Sequence, residues 1–107
     1  MSPTLPRKSP SPAQHFGGHT PTTILRRRHV QSETGWARST LYLRILEGLW
    51  PRPISLGARA VGWPASEVSA MNAARIAGLS DSQIRQLVVE LVAARHRYQA
   101  LTAGAPG

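Results

Sequence analysis

Between Arg28 and Trp63, glycines and prolines cut the chain into short pieces, and their order is a helix, a tight turn, a second helix and a hairpin. The first helix is expected over about 27–34, ended by Gly35, with Val30 as its main apolar residue. Trp36 in the turn supplies a large surface that holds the second helix in place. That second helix is expected from Arg38 to about Glu47, where Leu41 and Ile45 share one face at i, i+4 and Tyr42 and Leu46 flank them. Ser39, Thr40, Leu43, Arg44 and Glu47 then occupy the opposite face. Gly48 caps this helix, and Pro51 and Pro53 prevent its continuation. The run ISLGARAVGW, residues 54–63, alternates as two strands about a turn at Gly57–Arg59, with Ile54 and Leu56 on one and Val61 and Trp63 on the other.

Before this block, Ile24 and Leu25 form a short extended lead-in, and residues 1–22 carry Pro3, Pro6, Pro10, Pro12 and Pro21 with no acidic group. Such a stretch buries too little apolar surface to offset ordering, so 1–22 is expected to be a disordered basic leader. After the hairpin, Pro64 suits the first position of a third helix, Glu67 faces the positive end of its dipole, and Gly78 closes it. Val68, Met71 and Ile76 are its expected buried residues. Ser80 and Gln83 then form a capping box, with Leu79 and Ile84 placed as a hydrophobic staple. Ile84, Leu87, Leu91, Ala94, Tyr98 and Leu101 come at alternating spacings of three and four, widened by Val88 and Val92. The spacing predicts one amphipathic helix through residue 101, buried either against its own domain or in a homodimer through Ile84, Leu87, Leu91 and Tyr98.

These elements divide the chain into the leader at 1–22, a domain at 23–78, the amphipathic helix at 79–101 and a flexible tail at 102–107. The fold class they imply is mostly α with a small β-hairpin wing, a winged helix-turn-helix extended by a C-terminal amphipathic helix.

Of the 107 residues, 13 are Lys or Arg and 5 are Asp or Glu, a net charge of +8, and every basic residue except Lys8 is arginine. The excess favours an anionic partner, and the planar guanidinium fork suits phosphate and guanine edges. With no cysteine, disulfides and thiolate zinc sites are excluded, which fits a reducing cytoplasm. His15, His19, His29 and His96 have no carboxylate pattern around them that completes a metal site. No cofactor motif is present, and no apolar run approaches the roughly 20 residues of a membrane span. Glu33, Glu47, Glu67, Asp81 and Glu90 are scattered one to an element, so no paired carboxylates serve acid–base chemistry and no enzyme is expected.

In a helix-turn-helix the second helix enters the major groove of double-stranded DNA by its N-terminal end while the first crosses the backbone. Arg38, Ser39, Thr40 and Arg44 are thus the candidate base or phosphate contacts, with Arg38 or Arg44 able to grip a guanine edge through two hydrogen bonds. The Tyr42 hydroxyl can reach phosphate, or its ring can simply pack. Arg59 beside the wing turn and Arg52 ahead of the first strand are candidate sequence-neutral anchors. Arg26, Arg27 and Arg28 form either a phosphate-contacting run or a solvated face.

TGWARSTLY at 34–42, EGLWPRPISLGARAVGW at 47–63 and SEV at 66–68 resemble the AlpA family of phage and prophage transcriptional regulators, of the MerR/excisionase-like winged helix-turn-helix group. The resemblance extends over roughly residues 24–99. It places Arg38, Ser39, Thr40 and Tyr42 at the start of the recognition helix and Arg59 at the wing turn. Ala37 stands where the family commonly has a capping serine, Arg27 where an apolar residue is common, and Met71 where many members have tryptophan. The function implied is sequence-specific regulation of prophage or integrated-element genes, such as an integrase promoter, by a cytoplasmic, nucleoid-associated protein. Two alternatives carry different requirements. An excisionase-type recombination directionality factor needs repeated, cooperative sites on attachment DNA. A protein-interaction module would work through the 84–101 stripe and leave the basic face nonspecific.

Overall fold

The computed structural model describes Thr20 and residues 22–103; the expected leader and tail lie almost wholly outside the described residues. The elements run β1 (Ile24–Arg26), α1 (Arg27–Thr34), α2 (Arg38–Leu46), β2 (Ile54–Ser55), β3 (Val61–Pro64), α3 (Ala65–Ile76), α4 (Asp81–Ala94) and α5 (Arg97–Ala103). The extended lead-in is a full strand: β1 pairs antiparallel with β3, which also pairs with β2, giving the sheet order β1-β3-β2. Leu25 lies opposite Trp63, and Ile54 opposite Gly62. Gly62 is dictated by this crowding between two strands, since a Cβ there would come 2.5 Å from Ile24 Cγ2 and 3.0 Å from the Leu25 carbonyl. The Leu56 N–H donates to the Ala60 carbonyl at 2.8 Å and closes the wing loop. A helix pair with a tight turn, then a paired wing, is the winged helix-turn-helix arrangement.

Gly35 ends α1 in the left-handed region (φ 78°), its N–H donating to the Gln31 carbonyl. α2 starts at Arg38 after an Ala37 N-cap that offers no side-chain cap to its first-turn N–H groups. The expected capping box at Ser80 and Gln83 is formed in both directions.

The core gathers Leu25, Val30, Leu41, Trp63, Val68, Met71 and Ile84 with two residues that periodicity does not mark, Leu49 and Trp50. Both enter just after Gly48, where the Leu49 N–H returns to the Arg44 carbonyl. Trp63 donates from Nε1 to the Pro51 carbonyl at 2.8 Å, tying the wing to the segment after α2.

Three expectations are corrected. Leu46 does not flank the buried face of α2 but is 85% exposed, because five residues past Leu41 the helix has turned about 140°. Ile76 is 87% exposed at the last residue of α3, where the rotation from Met71 is the same. The C-terminal helix is not continuous to residue 101. The N–H groups of Arg95 and His96 bond to the carbonyls of Val92 and Ala93, three residues back, and this tighter turn separates α4 from α5. Arg95 is drawn inward there: Nε and Nη2 grip both oxygens of Glu67 at 2.8 and 2.6 Å, and Nη2 also donates to the Arg52 carbonyl at 2.7 Å. Glu67, expected only at the helix dipole, is therefore a buried partner at 4% exposure.

The amphipathic stripe packs on its own domain. Ile84 is a core residue, and Leu87, Val88 and Leu91 lie against that core. Ile84 is thereby withdrawn from the expected homodimer face, Tyr98 is half-buried, and Leu101 is 70% exposed.

Candidate nucleic-acid interface

The pairing of β1 with β3 decides where the positive charge collects. Arg26 sits opposite Gly62, one residue from the start of β3, so the wing loop carrying Arg59 lies alongside the arginine run. Arg26, Arg27, Arg28, Arg59 and Val61 together line an open depression of about 290 Å³. Arg27 is half-buried and braced by a 2.7 Å hydrogen bond from Nη1 to Gln31 Oε1. Arg26, Arg28 and Arg59 are exposed, and among the described residues none forms an ion pair with a carboxylate. The sequence contains no Asp or Glu before Glu33 or between Gly48 and Ser66, so the charge of these segments is not neutralised locally. A depression lined by four arginines with no carboxylate partner among the described residues favours anions through its charge and suits phosphate oxygens.

At the start of α2, Arg38 and Ser39 are exposed and Thr40 and Tyr42 are half-buried. The Arg38 guanidinium lies 5.9 Å from the centre of the Tyr42 ring, which steers it along the helix surface. Arg52 is exposed but does not line the four-arginine depression, and its carbonyl is the acceptor for Arg95.

Arg44 differs from the rest of the predicted set. Its Nη1 pairs with Glu47 at 2.9 Å, and its guanidinium lies 5.8 Å from the Trp36 ring centre. Arg75, which sequence reasoning left unassigned, covers the same ring at 4.6 Å, and Trp36 in turn meets Trp50 edge-on at 5.3 Å. Partial burial, and then the neighbouring charge of Arg44, lower the pKa of Arg75 from its usual value, while Asp81 opposes them. The group stays a cation at any physiological pH. Its position in the last turn of α3 is a dipole signal visible in sequence, but its ring partner lies far back in the turn between α1 and α2 and is not. Arg85 likewise donates from Nε to the Glu47 carbonyl at 2.8 Å, satisfying the C-terminal end of α2.

Among the described residues no group of His, Asp or Glu is arranged to hold a metal ion, and no helix is long and apolar enough to cross a membrane.

The family described as prophage CP4-57 regulatory protein (AlpA) matches residues 23–76, the span from the residue before β1 to the end of α3. A protein of Enterobacteria phage P4 described as uncharacterized protein ORF88 is 41% identical over 75 residues, covering 65% of this chain and 85% of the relative. No solved structure matches the chain. The family match contains the helix pair, the wing and every arginine of the depression, and on it and the phage relative the chain belongs to the AlpA family of prophage regulatory proteins.

Proposed function

We propose that the protein is a sequence-specific DNA-binding regulator of prophage or integrated-element genes, of the MerR/excisionase-like winged helix-turn-helix type. The observation that carries this reading is the convergence of Arg26, Arg27, Arg28 and Arg59 on one depression, on the same fold as a second helix whose outer face exposes Arg38, Ser39, Leu43 and Leu46. In the proposed docking, α2 enters the major groove, with Arg38, Ser39 and Thr40 nearest the base edges and the Tyr42 hydroxyl reaching a phosphate. The arginine run and the wing hold the adjacent backbone, where Arg59 meets phosphate or the minor-groove edge and Arg52 adds a further anchor. Arg44, held by Glu47 and Trp36, acts here as a brace for α2. Against the interaction-module alternative stands the packing of Ile84, Leu87 and Leu91, part of its proposed stripe, on the domain core.

The test is binding to duplex fragments from the protein's own genomic neighbourhood, titrated against salt and excess random competitor. Retention of one upstream fragment is expected, with log affinity falling by about 0.9 per contacted phosphate for each decade of salt. Loss of all binding to competitor would reduce the basic face to nonspecific attraction and overturn the proposal.

A further inference from the structure

The outward face of α2 is not polar throughout. At about 100° per residue, Ser39, Leu43 and Leu46 lie within about 60° of one another, on the side opposite the buried Leu41. Leu43 is 49% exposed and Leu46 85% exposed. Isolated exposed leucines are unremarkable, but two on successive turns of one helix face make an apolar strip. This strip begins one turn beyond Ser39, in the second half of α2, and the four-arginine depression lies on the same winged helix-turn-helix. Two leucines offer far less than the roughly 800 Å² per side of a stable protein interface. They do match the one apolar group on the floor of the major groove, the 5-methyl of thymine.

Resting on the DNA-binding reading above, we propose that Leu43 is a specificity-determining residue that contacts a thymine methyl, with Leu46 extending the strip towards the next base pair. Hydrogen-bonding residues at the start of α2 then read one part of the site, and this apolar face selects thymine at an adjacent position by burying its methyl group.

The test uses duplexes enriched from a random pool by the full-length protein, resynthesised with 2′-deoxyuridine replacing thymidine, which removes only the 5-methyl groups. Wild-type affinity is expected to fall about three- to fivefold per contacted methyl. Leu43→Ala should bind thymidine and deoxyuridine duplexes nearly alike, Leu43→Met should keep the preference, and Leu46→Ala should reduce it by less. Equal wild-type binding to both duplexes would overturn the proposal, as would an undiminished preference in a folded Leu43→Ala protein. Failure to enrich any duplex would instead remove the DNA-binding reading, and this assignment with it.

Discussion

Arg26, Arg28 and Arg59, on the side of β1 and the wing, stand at the surface without a carboxylate partner among the described residues. On the helical side, Arg44, Arg75, Arg85 and Arg95 each meet a carboxylate, a carbonyl or an aromatic ring. The same residue type therefore does two jobs. Where acidic residues and backbone ends are available, arginine closes the fold; where the sequence offers none, its charge stays open to an outside anion. Net charge alone would have assigned all of them to one surface.

The contrast is broken most sharply at Arg95. Arg95→Ala leaves the Glu67 carboxylate buried at 4% exposure without its partner, and removal of one member of a buried pair costs about 3–5 kcal/mol. Denaturant unfolding should show that loss. Unchanged stability would mean that Glu67 finds another partner or water, and that the clip to the Arg52 carbonyl is dispensable.

Gly62→Ala tests the joint between the two regions. The added methyl meets Ile24 Cγ2 at 2.5 Å and backbone at 3.0 Å, an overpacking expected to cost about 1–3 kcal/mol. By loosening β1 from β3 it should also separate Arg26 from Arg59 and weaken DNA binding beyond the stability loss. A well-folded variant with full affinity would show that the arginines act independently.

Arg44→Ala removes a half-exposed ion pair and a contact to the Trp36 ring, for an expected loss of about 0.5–1 kcal/mol. If Arg44 is a brace, the salt dependence of DNA binding stays unchanged. Relaxed base preference at undiminished stability would move Arg44 to the open group. Arg28→Ala and Arg59→Ala have the smallest expected effect on folding, within about 0.5 kcal/mol, yet each should lower the salt slope by about one. A slope unaltered in both variants would show that the depression does not hold phosphate.

Boundaries were legible because their causes are local. Gly35 relieves the left-handed turn after α1, the Ser80 and Gln83 side chains satisfy each other's backbone, and Leu41 and Ile45 share a face by helix geometry alone. Prolines after Gly48 stop α2, and the alternation around Gly57 announces the wing. The family motifs and the absence of acids near the arginine run were equally visible, so the candidate interface could be named by residue.

Partnership was not legible, since it depends on residues far apart in the chain. Leu46 and Ile76 look like core residues until helix rotation is set against the packing around them, and each is left exposed. Leu49 and Trp50 lie outside any periodic segment, so nothing local marks their burial. Arg95 reads as one cation in an amphipathic helix until Glu67 and the Arg52 carbonyl converge on it across 28 and 43 residues. The sequence by itself determined the helix pair, the wing, the capped start of α4 and the excess of arginine, through backbone preferences and spacing that act over a few residues, but not the break between α4 and α5. Only the tertiary structure decided which arginines are engaged and which are open, because pairing β1 with β3 gathers one set while the buried Glu67 and the Trp36 ring capture members of the other.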